Sequence, residues 1–409
     1  MNKFWNLRMT FWLRILLLGC GLFVNASVIN NYRHVSSDFV QDYIASYSLR
    51  YGRALYGENI TTLSKEMLGF NGIENFHPPF NALLFLPFSF LNYQTAYVVI
   101  GLISIILLSL INQLVVKGLN LGNEWFFNLM CFTFLWYPVF YCLGTGQSSM
   151  IIAACLISGW FCLRSEKEYV AGFLFAIATL IKLFPGLVLL YLFMNKKWSA
   201  FFATVLFIII GIILTTSIVG FDNIQTYTIT MVAKDIDEWR NFVLNHSVSG
   251  MITRVFGDRT PWTEPLIQLP QIKSLLIIFV NLSILIYTIF KTKVMAAKKE
   301  LADYAFGLTI VAMLLLSPIT WGHIFPVLIL PICILLREYI NEPSSLRLCI
   351  LLIIIFFLSL PDVLIARGLM AMNHPLRMPW HSMLLTLGPG LGVVLLWIAL
   401  TQRAGTIKF

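Results

Sequence analysis

The sequence predicts an all-α polytopic membrane protein. Of its 409 residues, 58% are hydrophobic and only 11% are charged, where soluble domains carry about 25% charge. Apolar runs of about 15 to 22 residues recur along the chain, long enough for helices that cross a bilayer. The mean hydropathy is +0.82. The net charge of +9 is a third observation, because it has a topological origin. Lys3, Arg8 and Arg14 flank the first span, which puts the N-terminus on the cytoplasmic side. Alternating sides from there leaves sixteen basic and seven acidic residues inside, and twelve of each outside. The whole excess is then cytoplasmic, and no nucleic-acid partner is needed to explain it.

The elements follow in order. Phe11 to Ile29 is the first span; no small-residue cleavage site closes it, so it reads as a retained helix. Ser37 can cap a helix that starts at Asp38. Val40, Tyr43, Ile44, Tyr47, Tyr51, Ala54 and Leu55 recur at helical spacing, which predicts an amphipathic helix on the outer membrane surface. His77-Pro78-Pro79 breaks the helix. Residues 80–91 are apolar but too short to span, so they are expected to be re-entrant or interfacial. Crossings are expected at 93–116, 125–143 and onward from Gly144-Thr145-Gly146-Gln147 to Arg164. A run from Val170 to Met194 turns at Lys182-Leu183-Phe184-Pro185. Further crossings are expected from Lys196-Lys197-Trp198 to 219, and at 273–290, 302–316, 321–337, 346–364 and 381–401.

The expectation is therefore one transmembrane domain, 1–409, with about 12 transmembrane helices and both termini inside. Outer loops 30–76 and 220–272 would roof the active site. The seven cysteines all lie in apolar runs, with no C-x-x-C spacing, and read as packing residues.

Candidate chemistry gathers on one side. All six histidines (His34, His77, His246, His323, His374, His381) fall outside or at the outer boundary in this topology, with charged residues such as Asp235, Asp237, Glu238 and Arg259. Asp38 reads plainly as a helix-start carboxylate, or more sharply as a general base for an acceptor hydroxyl. Asp42 lies one turn on. Lys182 sits in an apolar run, where a charge is costly and marks function unless it snorkels. Lys182 and Arg254 are the cations expected to meet a lipid phosphate. Gln147, at a polar turn, suits sugar hydroxyls. Asn245-His246-Ser247 is a loop, and formally a glycosylation sequon. Trp321 and His323 stand in Ser317-Pro318-Ile319-Thr320-Trp321-Gly322-His323, which interrupts two apolar runs. No H-E-x-x-H is present, and Asp235-Ile236-Asp237 is only a weak D-x-D match, so no metal and no cofactor is expected.

Several segments together resemble glycosyltransferase family 87, membrane mannosyl- and arabinosyltransferase-like proteins of the GT-C superfamily. They are Ser37-Asp38-Phe39 with Tyr43, Gly52 and Leu55-Tyr56; Phe76-His77-Pro78-Pro79; Gly146-Gln147-Ser148-Ser149; Ala171-Gly172 with Ile181-Lys182-Leu183-Phe184-Pro185; Asn245-His246-Ser247; and Leu316 to His323. His77 stands where the family commonly has Tyr, and Ser149 where it commonly has Asn. The resemblance implies a GT-C-like fold in the bilayer and an inverting transferase. Its sugar donor would be linked to a polyprenyl phosphate and its acceptor would be a glycan or glycolipid on the outer face. It implies Asp38 as base with His323 in the same pocket. Asp42, His77, Gln147, Lys182, Asn245, His246, Arg254 and Trp321 are the substrate-binding candidates. A single displacement needs one carboxylate, unlike the pair of a glycoside hydrolase. Two other classes stay open. A flippase for polyprenyl-linked glycans would want charges at mid-membrane depth, whereas the charges here keep to span ends. A scaffold would need no acid at Asp38.

Overall fold

A computed structural model describes residues 2–34, 37–69, 74–258, 265–371 and 388–402 of the chain. Among them are helices and turns but no strand. His374, His381, Arg259 and the start of the crossing expected at 381–401 lie outside the described residues.

The first third holds α1 (Asn2–Tyr32), α2 (Phe39–Arg50), α3 (Glu58–Leu68), α4 (Pro79–Leu84) and α5 (Tyr93–Leu119). Then come α6 (Glu124–Phe134), α7 (Tyr137–Thr145), α8 (Ser149–Arg164), α9 (Glu168–Ile181), α10 (Val188–Met194) and α11 (Trp198–Val219). Three shorter helices follow: α12 (Phe221–Gln225), α13 (Val232–Trp239) and α14 (Val248–Phe256). The remainder is α15 (Pro270–Ala296), α16 (Ala302–Leu316), α17 (Ile329–Asn341), α18 (Ser345–Leu358), α19 (Asp362–Ala371) and α20 (Pro389–Gln402). The core centres on α8, which packs between α5 and α9 and buries Met150, Ile152, Ala153, Leu156 and Ile157.

Among the described residues, five helices are long and apolar enough to cross a membrane: Phe11–Tyr32, Tyr93–Leu119, Trp198–Val219, Pro270–Ala296 and Gly322–Asn341. A sixth span counts if α6 and α7, bent by 61° at their junction, form one crossing. The expected twelve are not met by this measure. Five more apolar helices are only 10–17 residues long, short of the roughly 20 that a span needs. Proline causes part of that shortening, because it cannot donate the helical hydrogen bond and its ring clashes one turn back.

The α6–α7 break shows how such a kink is accommodated. Pro138 has no N–H for the carbonyl of Phe134, four residues earlier. The wholly buried Asn25 of α1 donates Nδ2 to that carbonyl at 2.9 Å, and to its own Gly21 carbonyl at 2.7 Å. Gly21 permits this close approach: a Cβ there would lie 2.7 Å from that of Phe134. An orphaned carbonyl in lipid costs several kcal/mol, so Asn25 both satisfies the kink and docks α1.

The segment after α1 departs from expectation. Helix α2 does not lie on the surface with one polar face. Phe39 to Ser46 and Ser48 are all buried, polar residues included. Internal partners let both faces be covered: Gln41 Oε1 accepts from the N–H of Phe76, Ser46 donates to the Asp42 carbonyl, and Tyr43 donates to the Leu91 carbonyl. Ser37 does not cap the helix. Asp38 occupies the capping position without a side-chain cap, and the Ser37 hydroxyl meets the Tyr93 hydroxyl at 3.0 Å. Phe39 is fully buried among Tyr43, Phe85, Tyr93 and Tyr97, with ring centroids 5.8 to 6.1 Å away. Such aromatic contacts contribute about 0.5–1.5 kcal/mol each and fix the residue next to Asp38.

Candidate active site

One large cavity, of about 1370 Å³, opens beside this aromatic knot. Asp38, His77, Gln147, Lys182, Trp321 and His323 all line it. Six of the ten side chains singled out in the sequence therefore share one space, although they come from five separate stretches of chain. Both segments expected as its roof contribute wall residues, 37–41 and 74–78 from the first and 227–244 from the second.

Each wall residue is positioned by a local break in regular structure. Asp38 precedes α2, and its carboxylate has no hydrogen bond or ion pair among the described residues. Gln147 follows the α7 C-terminus, where Gly146 takes the left-handed φ of +65°. A side chain there would strike Phe39, whose Cβ lies 2.8 Å from the site of a glycine Cβ. The Tyr97 hydroxyl closes the same turn on the carbonyls of Leu143 and Gly144, at 2.7 and 2.9 Å. Lys182 is extended between the end of α9 and a 3-10 turn that begins at Phe184. Burial pulls its ammonium below the usual lysine range, while the charges of Asp38, Asp235 and Asp42 act to keep its proton. His323 is buried beside Tyr141 and Trp321, with ring centroids 5.4 and 6.4 Å away. Neither ring nitrogen of His323, nor Gln147 Oε1, has a hydrogen-bond partner among the described residues. Buried polar atoms left open in this way are costly in an empty protein and are poised to receive a polar ligand.

The other four candidates stand behind the wall. Asp42 is 1% exposed and accepts from Asn81 Nδ2 while holding the His77 ring. Asn245 clamps the loop that carries Trp321 and His323: its Nδ2 donates to the carbonyls of Arg240 and Pro318, and its Oδ1 accepts from the N–H of Ser247 and Thr320. An amide so used is not available to sugar hydroxyls. His246 contacts Asp362 at 2.6 Å, at the start of α19. Arg254 is 1% exposed and donates to the Phe242 carbonyl at 2.9 Å, and burial pushes its guanidinium down to about 9.

The cavity also holds residues that the sequence reading did not select. Asp235 and Glu238 project from α13, Arg367 from α19, and Tyr137 and Tyr141 from α7. Burial pushes the Asp235 carboxyl up to about 6, against the pull of Lys182 and His77. Trp239, Phe242 and Trp321 form an aromatic wall, with centroids 5.3 to 5.7 Å apart. No group of three or more His, Cys, Asp or Glu placed to hold a metal occurs among the described residues.

The family model described as Glycosyltransferase family 87 matches residues 75–318, more than half of the chain. The chain belongs to glycosyltransferase family 87. The family 87 match starts after Asp38 and stops before Trp321 and His323, so it spans the middle of the cavity wall and not its two ends. Comparison with curated proteins yields no match. Among solved structures, ArnT from Cupriavidus metallidurans in the apo state is similar at 16% identity over 97% of this chain and 78% of that one. Its TM-score is 0.37, too low to bear on the fold or the chemistry. Family membership and the apolar helices together make the protein a multi-pass membrane glycosyltransferase.

Proposed function

We propose that the protein is an inverting glycosyltransferase. It moves a mannose- or pentose-like sugar from a polyprenyl-phosphate donor to a glycan or glycolipid acceptor. The site would face the outer side of the membrane, where nucleotide sugars are absent and a lipid-carried donor is the available one. The observation that carries this reading is that a carboxylate, an ammonium and an imidazole that have no hydrogen-bond partner among the described residues line one cavity (Asp38, Lys182 and His323).

The chemistry is one displacement. Asp38 takes the proton of the acceptor hydroxyl as its oxygen attacks the anomeric carbon. The bond from that carbon to the donor phosphate oxygen breaks, and its electron pair leaves with the polyprenyl phosphate. Negative charge grows on the phosphate, and Lys182 and Arg367 are the wall cations suited to stabilise it. Trp321 and Trp239 offer flat apolar faces to a sugar ring, and Gln147 and His323 offer hydrogen bonds to its hydroxyls.

The test is sugar transfer by purified protein from a synthetic polyprenyl-phosphate sugar. Asp38→Asn should lose on the order of 10²–10⁴ in rate while its melting temperature stays that of the wild type. Equal rates in the two proteins would remove Asp38 from the mechanism.

A further inference from the structure

His77 is held more firmly than a residue of a loop requires. Its N–H donates to Asn75 Oδ1 at 3.0 Å, and its carbonyl accepts from the Tyr56 hydroxyl at 2.8 Å. Asn75 is itself tied through Nδ2 to the Leu55 carbonyl at 3.0 Å. The ring is fixed as well: Nδ1 lies 2.7 Å from Oδ1 of Asp42. That carboxylate is fully enclosed, and its only other hydrogen bond among the described residues comes from Asn81, at 3.2 Å. Its Oδ2 has no partner there. With Nδ1 occupied, the remaining ring nitrogen is Nε2, on a side chain that lines the cavity.

A buried carboxylate needs a compensating positive charge, because ionisation away from water is costly. Across this short contact the compensating partner is the His77 ring. An imidazolium seated on Asp42 donates from both ring nitrogens, Nδ1 to the carboxylate and Nε2 away from it.

We propose that His77, oriented by Asp42, donates Nε2–H to a phosphate oxygen of the lipid-linked donor. This deepens the transferase reading and rests on it. In the displacement above, the donor phosphate passes from one negative charge to two. The His77 hydrogen bond strengthens as that charge grows, and no proton need leave the ring. Asp42 acts only through His77 and is a positioning residue. The other charges near the ring belong to every packed neighbour: Asp38 beside α2, Glu74 on the same loop and paired with Lys234, Lys182 after α9, and Asp235 and Glu238 on α13. His323 is the other titratable ring of the wall.

The probe is decaprenyl methyl phosphate, a diester that stays singly charged and cannot transfer a sugar. Its binding to the full chain in lipid nanodiscs is measured between about pH 5.5 and pH 8.5, the range in which histidine titrates. Dimethyl phosphate is run as the same headgroup without the lipid. Wild-type affinity for the lipid probe should fall roughly tenfold from the acid to the alkaline end of that range. His77→Gln should lose that fall and bind roughly tenfold more weakly at the acid end. His77→Tyr, which keeps a ring but not the titration, should behave in the same way. Asp42→Asn should bind the lipid probe roughly threefold to tenfold more weakly, because the anion that orients the ring is gone. Because the Asp235 carboxyl lies near 6 and feels the pull of His77, every arm is repeated in an Asp235→Asn background, where differences between proteins report His77.

A His77→Gln profile equal to that of the wild type would overturn the proposal and leave the transferase reading intact. So would wild-type affinity in Asp42→Asn. No binding of the lipid probe by the wild type would overturn the donor assignment itself, and this proposal with it. A His77-dependent profile for dimethyl phosphate as well would assign the contact to the phosphate; its absence would place the recognition in the lipid chain and count against His77.

Discussion

The two ends of α16, roughly 20 Å apart at 1.5 Å per residue, treat buried polar groups in opposite ways. At its start, Asp303 is 4% exposed and completely engaged. Arg164 reaches both of its oxygens at 2.6 and 2.8 Å, Arg337 donates at 2.7 Å, and the Trp160 indole donates at 3.0 Å. The cluster ties α8, α16 and α17 together, and the carboxylate sits at the positive end of a helix dipole. Beyond the other end, past Ser317 and Pro318, the two nitrogens of His323, the Asp38 carboxylate and the Lys182 ammonium have no hydrogen-bond partner among the described residues. The first end is what a chain does with polar groups used to hold itself together. The second is what remains when the partners must come from a substrate.

That contrast is open to breakage, and the largest effect is expected at the satisfied end. Asp303→Ala strands two arginines and should destabilise the protein by about 3–5 kcal/mol, read by thermal denaturation in detergent. A smaller loss would mean that the cluster is solvated and not structural. At the open end the sign should reverse. His323→Phe fills the same aromatic niche without unpaired nitrogens, so stability should hold or rise by about 1 kcal/mol while transfer falls on the order of a hundredfold. A drop in stability with transfer unchanged would make His323 part of the scaffold.

Two smaller effects sharpen the contrast. Asn25→Leu removes the amide that meets the Phe134 carbonyl and should cost about 1–2 kcal/mol, again read as melting temperature. Asp235 adds a pH dependence. Its carboxyl ionises near 6 in the folded chain, against 3.8 when unperturbed. The folded state therefore holds the proton more tightly, and ionising the group costs stability. Stability should fall as pH rises through the window from 3.8 to about 6 and level off above it. Asp235→Asn should flatten that part of the stability–pH curve; an unchanged curve would mean that the carboxyl is solvated.

Much of this was legible in the sequence, and the remainder has identifiable physical reasons. Asp38, Lys182 and His323 stand out because each is polar at the edge of an apolar run, where a charge or an imidazole has few ordinary uses. Asp235, Glu238 and Arg367 carry no such mark. Asp235 and Glu238 sit in a polar stretch, Arg367 lies beyond the crossing expected to end at 364, and only the packing of α13 and α19 brings them to the cavity. Helix α2 misled in another way. Its apolar spacing reads as a surface helix, because periodicity does not reveal that Gln41, Asp42 and Ser46 have partners waiting inside. Asn245 and His246 share a motif with residues that hold a loop, and a motif does not distinguish a residue that touches substrate from one that braces its neighbour. Fewer crossings than expected are found by length and composition among the described residues, because proline divides apolar runs into pieces too short to count alone.

The Asn25 bond also bears on biogenesis. Its acceptor at Phe134 lies 109 residues downstream, so the opening helix is synthesised long before its seat exists. Until then the amide has only its own backbone for company in the bilayer. The insertion machinery must shelter that first segment, or leave it loosely lodged, while four further helices emerge from the ribosome.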